Sequence, residues 1–184
     1  NSMWLWGQGR KAQLDAFEAK NGVKGAVISA VDLIKGIGIL AKMDVIEVEG
    51  ATGYIDTNFD GKAAACIKAF AHNDLVYVHV EAPAECGHRG EVQNKVRAIE
   101  IIDEKILGPV KAALDEMGPH RIMILPDHPT PLAIKTHSSD PVPYLIYDSE
   151  KAQPGVDTFT EAAAKATGHY LDKGYELMDQ LTKK

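Results

Sequence analysis

Positive charge is the first shortage in this sequence. Its 20 lysines and arginines stand against 26 aspartates and glutamates, a net charge of −6 with neutral histidines. No basic run or interleaving of aromatic and basic residues occurs, which argues against a nucleic-acid partner. Long apolar runs are missing too, so no membrane span is expected. Cysteine is scarce: Cys66 and Cys86 alone make no disulfide framework. No charged-then-apolar leader with a small-residue cleavage site is visible, and a reducing cytoplasm is the expected location. Internal repeats and low-complexity segments are lacking as well.

What is present suits one soluble domain: 184 residues, 45% hydrophobic and 25% charged, enough to bury a core unaided. Asn1 and Ser2 precede Met3, which reads either as a cloning scar or as a piece of a longer protein. Trp4 and Trp6 call for burial against something.

Hydrophobic periodicity orders the rest. A short helical pattern holds Leu14 and Phe17 and stops at Asn21-Gly22. Strands are expected at Gly25–Ser29, Asp44–Val48 and Leu75–Val80, the last read as covered on both faces. Helices are expected at 30–42, weakened by Gly36 and Gly38, and at 60–71, with Ala63, Cys66, Ile67 and Phe70 on one face. Residues 81–91 read as a loop. A long helix spans 91–117 with a kink or break at Gly108-Pro109, and strands follow at Ile122–Leu125 and Val142–Tyr147. A last helical region begins near Asp157-Thr158, with Tyr170, Leu171, Leu177, Met178 and Leu181 as its apolar positions. Such alternation predicts an α/β fold, a mostly parallel sheet with helices on both faces. Ligands in such folds sit at the carboxyl ends of the strands.

Two segments at those ends carry chemistry. Residues 126–141 hold Asp127, His128 and His137 among prolines at 126, 129, 131 and 141. Prolines fix φ and stiffen the segment. An Asp-His pair is more often a hydrogen-bonded loop pair than a ligand set, but its place directly after a buried strand favours metal ligation. The other segment holds Glu81, Glu85, Cys86 and His88, each a possible ligand, with Gly87 allowing close backbone approach. Solvation of Glu85 and a helix-end role for His88 are the plain alternatives. Together the two segments point to one or two divalent cations. His79 reads as a satisfied core histidine, His72, His120 and His169 as surface groups, and Cys66 as core. Lys35 is a candidate phosphate contact, although an exposed helix charge is the commoner explanation.

Three stretches carry a resemblance over essentially the whole chain: GAVISAVDLIKGIG, YVHVEAPAECGHRGE and LPDHPTPLAIKTHSSDPVP. They resemble the archaeal-type cofactor-independent phosphoglycerate mutases of the alkaline-phosphatase-like metalloenzyme superfamily, as does WLWGQG near the start. The resemblance implies an alkaline-phosphatase-like three-layer sandwich, here incomplete. It implies interconversion of 3- and 2-phosphoglycerate through a phosphoserine, in glycolysis and gluconeogenesis. It also implies two divalent ions, manganese first, with magnesium, cobalt or zinc as alternatives. Asp127 and His128 would hold one ion. His88, His137 and an aspartate at position 84 would hold the other.

Position 84 is alanine, so a carboxylate is missing, and Glu85 is the candidate to move in. The segment bearing the serine nucleophile and the inserted substrate domain find no counterpart, so residues 1–184 are expected to be the C-terminal part of the metalloenzyme domain, inactive alone. The alternatives are a related phosphomutase or phosphatase, or a degenerate non-catalytic domain. Absent first strands would leave a sheet edge exposed, and a homo-oligomer is expected on that ground.

Overall fold

The computed structural model describes residues 9–151 and 153–183, so the expected burial of Trp4 and Trp6 lies outside the described residues. A short helix α1 (Phe17–Asn21) ends at Gly22, whose φ of 72° is the left-handed cap expected of the Asn-Gly stop. β1 (Gly25–Ile28) follows, and all four of its residues are buried. It leads to α2 (Asp32–Leu40) and β2 (Asp44–Ile46), then to α3 (Phe59–Ala69) and β3 (Leu75–Val78). The three strands form one parallel sheet in the order β2-β1-β3.

Side chains alternate along β1, and this separates the layers. Val27 faces α2: a Cβ on Gly38 would stand 2.5 Å from its Cγ1 and 3.3 Å from Val45. Ile28 points the other way, into a core shared with Phe59, Ala63 and Cys66 of α3. Ile46 and Val78, its register partners, pack against the same core. Helices therefore cover both faces of the parallel sheet, as the alternation predicted. The central strand is β1, however. β3 is only half-buried, and its Tyr77 is exposed, contrary to the reading of 75–80 as covered on both faces.

The segment 81–91 is not a loop. It forms α4 (Ala82–Arg89), with Pro83 in the first turn and Gly90 at φ 72° closing it. Proline in a first turn starts a helix rather than breaking one, since its missing N–H has no intrahelical partner there. α5 (Val92–Ile101) comes next, then a π-helical turn (Ile102–Leu107), then α6 (Gly108–Met117). No break occurs at Gly108-Pro109. The Gly108 N–H reaches five residues back to the Asp103 carbonyl, and this widened turn takes up the proline.

β4 (Arg121–Ile124) pairs antiparallel with β5 (Leu145–Asp148), in a separate two-stranded sheet. The second strand thus begins three residues later than expected and turns back on the first. Arg121 Nε donates to Asp148 Oδ2 at 2.8 Å across this pair. α7 (Glu161–Ala166) starts at Glu161 rather than at Asp157, because Thr160 Oγ1 caps it by accepting from Ala163 N–H. A 3-10 turn (Gly174–Glu176) and α8 (Leu177–Thr182) end the described chain. Tyr170, expected on an apolar face, is 70% exposed. His120, expected at the surface, is buried: its side chain is 7% exposed, with Nδ1 on the Gly118 carbonyl and the ring against Tyr147.

The two glycines of α2 make opposite predictions. Nothing lies within 4 Å of a Cβ on Gly36, so Gly36→Ala should raise stability by about 0.5–1 kcal/mol. Gly38→Ala would collide with Val27 and should cost roughly 1–3 kcal/mol. Urea denaturation of the two variants checks both signs.

Candidate metal centre

β3 runs out through His79 and Glu81 directly into α4. Helical geometry then places Glu81, Ala84, Glu85 and His88 on one face, since residues three, four and seven apart are neighbours. α4 lies against the proline-rich segment with no side chain between them: a Cβ on Gly87 would be 2.6 Å from the Thr130 carbonyl oxygen.

The proline-rich segment closes on itself. Ile134 and Lys135 N–H groups donate to the Pro131 carbonyl, and Ser138 N–H donates to that of Pro129. Lys135 takes a left-handed φ of 53° to make the turn. The chain thereby returns and lays His137 on His128, ring centroids 3.6 Å apart. His137 Nε2 also stands 3.1 Å from His88 Nε2. Three imidazoles from α4 and one loop meet at the carboxyl side of β3.

The proton positions follow from the partners. His88 Nδ1 lies 3.1 Å from the Lys135 carbonyl, which can only accept, so Nδ1 carries the hydrogen. A neutral ring then presents the bare Nε2 lone pair to His137, as a metal-binding imidazole requires. Two imidazole nitrogens on one tetrahedral divalent ion stand about 3.3 Å apart, close to the observed separation. Burial first, then the neighbouring His128 and His88, hold the His137 pKa below its ordinary value, while Asp127 opposes this. The neutral, ligating form is favoured.

Asp127 stays with its neighbour: Oδ1 accepts from His128 N–H at 2.9 Å, and Oδ2 lies 3.2 Å from His128 Nε2. Its charge also reaches His79, Tyr77 and Glu81. Glu81 has a raised pKa, mainly from burial and then from Glu85 and Asp127, with Lys62 and His88 opposing. Glu85 shares the face of His88, but no hydrogen bond joins its carboxylate to His88 or His137. Lys35 is held by Glu47 at 2.7 Å, and no contact brings it to the histidines. Cys86 is fully buried, as is Cys66, whose thiol burial pushes up to about 12. Among the described residues, no three His, Cys, Asp or Glu side chains converge on one point as a finished cage.

Sequence reasoning missed the groups behind the site. Lys62 is 0% exposed, and its Nζ donates to the His79 carbonyl at 3.0 Å. Its place four residues before Cys66, on the apolar stripe of α3, was the available signal. Ser29 Oγ, which accepts from Val31 N–H, stands 3.0 Å from His79 Nδ1 and satisfies that core histidine.

A sheet with helices on both faces and imidazoles gathered at a strand end suits a divalent metal. The family model described as the Metalloenzyme superfamily matches residues 1–182, and the chain belongs to that superfamily. Membership implies use of a divalent metal, and the paired imidazole nitrogens fit one. Among curated relatives, the chain is 50% identical to a 2,3-bisphosphoglycerate-independent phosphoglycerate mutase of Methanosarcina acetivorans, over 100% of this chain and 47% of that protein. It is 47% identical to a probable enzyme of the same name from Geobacter sulfurreducens, over 98% of this chain and 46% of the other. The chain thus spans about half the length of these curated relatives. Two solved structures are similar. One, from Pyrococcus horikoshii, has a TM-score of 0.73 and 31% identity, over 82% of this chain and 45% of that one. The other, a cofactor-independent phosphoglycerate mutase from Thermoplasma acidophilum, has a TM-score of 0.68 and 27% identity, over 91% and 38%. Among the described residues, no helix is long and apolar enough to cross a membrane.

Lys62 yields a prediction with a definite sign. Burial lowers its pKa from 10.5, with Glu81 opposing. Between the lowered value and 10.5 the unfolded chain binds more protons than the folded one, so the Lys62 contribution to stability rises with pH there. Urea midpoints should therefore shift in favour of wild type over Lys62→Met as pH is raised from neutral into that window. A pH-independent difference would mean that the ammonium is not desolvated.

Proposed function

We propose that this chain forms the histidine-bearing half of the two-ion centre of a 2,3-bisphosphoglycerate-independent phosphoglycerate mutase, an isomerase that interconverts 3- and 2-phosphoglycerate. The observation that carries the reading is the pairing of His88 and His137, brought from α4 and from the proline-rich loop to 3.1 Å between their Nε2 atoms. The near-half identity to relatives bearing that name supports it.

In this reading Asp127 and His128 hold one ion, and His88 and His137 hold the second, with Glu85 the nearest replacement for the carboxylate that Ala84 lacks. Manganese is the preferred ion, with magnesium, cobalt and zinc as alternatives. Bound divalent ions supply charge for the phosphoryl oxygens and lower the pKa of an attacking hydroxyl. The chain's own work is orientation. Lys135, through its carbonyl, places the hydrogen of the neutral His88 ring on Nδ1, and Asp127 fixes the start of the loop through the His128 N–H. Lys35 enters as a phosphate contact that has to exchange Glu47 for substrate. The attacking serine comes from a segment outside these residues, and the intact enzyme works on a small phosphorylated acid in the cytoplasm, in glycolysis and gluconeogenesis.

Ala84 favours one competing reading, a domain that has lost catalysis. Manganese titration by calorimetry separates them. The chain should bind manganese, and His88→Ala and His137→Ala should abolish binding at the second ion. Absence of binding, unaltered by either substitution, would sink the metal reading. Ala84→Asp puts a carboxylate one helical turn from His88 and should tighten manganese binding about tenfold or more. An unchanged affinity would remove position 84 from the ligand set. Intact protein should isomerise 3-phosphoglycerate, lose this with chelator and regain it with manganese, whereas release of free phosphate would indicate a phosphatase.

A further inference from the structure

Lys95, in the first turn of α5, touches both segments of the proposed centre with its ammonium. Its Nζ donates to the Pro83 carbonyl at 2.9 Å and to the Thr130 carbonyl at 3.2 Å. Pro83 adjoins Ala84 at the start of α4. Thr130, which is buried, lies two residues after His128. No carboxylate stands within salt-bridge distance of Lys95 among the described residues, so its charge is spent on backbone oxygens rather than on a surface ion pair. Gly87 makes the arrangement possible: a Cβ there would be 2.6 Å from the Thr130 oxygen and 3.0 Å from Lys95 Nζ. Both carbonyls accept from a charged donor, which gives hydrogen bonds stronger than neutral ones.

We propose that Lys95 is a positioning residue, a clamp that holds α4 and the proline-rich loop at the spacing where His88 and His137 share one divalent ion. This deepens the metal reading above and rests on it. The ammonium touches neither ion nor substrate. It acts through two peptide carbonyls, one on each side of the histidine pair. With the clamp removed, the two backbones lose their shared donor, the Thr130 carbonyl is left buried without that partner, and the loop carrying His137 can move off α4.

The test uses the full chain and manganese. Lys95→Met should weaken manganese binding at the His88–His137 pair roughly 10- to 100-fold, the range for groups that orient ligands. Lys95→Cys should do the same. Aminoethylation of that cysteine, which restores an ammonium at nearly the same reach, should recover most of the loss. Cys66 and Cys86 are buried and should stay unmodified in the folded chain. Gly87→Ala, which pushes the same segments apart, should also weaken manganese binding, and if Lys95→Met does not fold, Lys95→Cys with and without aminoethylation decides the matter. Wild-type affinity in Lys95→Met, or failure of aminoethylation to restore binding, would overturn the clamp while leaving the metal reading intact.

A second readout is independent of metal. In the metal-free chain, ring-nitrogen NMR should find His88 as the Nδ1–H tautomer, and Lys95→Met should lose this preference. If wild type binds no manganese, the functional reading fails and this tautomer measurement decides the clamp: a loss supports it, and an unchanged spectrum overturns it.

Discussion

The centre depends on one close approach, the backbone of α4 against the backbone of the proline-rich loop at Gly87 and Thr130. It sets how near His88 comes to the loop. A methyl group at 87 would collide with the Thr130 carbonyl, and one at Gly90 would collide with the side chain of Lys135. With neither present, the Lys135 carbonyl comes within hydrogen-bonding range of His88 Nδ1. That one bond fixes the tautomer, and the tautomer determines whether the lone pair or a hydrogen faces His137. The chain of causes runs from two missing side chains to the tautomer of one imidazole.

The sheet supplies the fixed side of this contact. β1 is buried on both faces and bonded on both edges, so it is the least movable element, and β3 is aligned in register beside it. His79 N–H continues that ladder to the Ile28 carbonyl. Lys62 closes the back of the His79 peptide, and Ser29 closes the ring. The strand end from which α4 departs is therefore held by three polar contacts as well as by packing. On the other side, the proline-rich loop has no strand partners between β4 and β5. It relies instead on proline stiffness and its own turn, with Lys95 tying it to the helices.

Much of this was readable from residue order, and the misreadings share a cause. Periodicity located β1, α2, α3 and the long helical stretch because each buries a face wide enough to leave a pattern. The stretch 81–91 was misread because Pro83 and Gly87 look like breakers, while their meaning depends on position: first turn for the proline, face of contact for the glycine. The π turn was invisible because its widened hydrogen bonding leaves no residue signature beyond Gly108-Pro109. His120 and Lys62 were misplaced or missed because burial of a polar group depends on a partner distant in sequence, such as the ring of Tyr147 or the carbonyl of His79. The loop histidines stood out in the sequence by their density, and the structure brings His88, His128 and His137 together. The direct meeting of His137 with both His88 and His128 was not legible, because it is created by the left-handed turn at Lys135.

Ala84 looks at first like the loss of the site, yet the geometry limits what is lost. Position 84 shares its helical face with Glu81 and Glu85, both to the same side of it in the helical projection. In the proposed centre Ala84 offers a cation no carboxylate, but the face keeps its negative field, since Glu85 and Asp127 stand close enough to raise the Glu81 pKa. Coulomb attraction falls only as the inverse of distance, whereas a ligand bond requires contact. In the proposed centre, His88 and His137 would keep an electrostatic setting that draws a cation. Inner-sphere donors and the surrounding field are separate properties of such a centre, and the alanine at position 84 touches only the first.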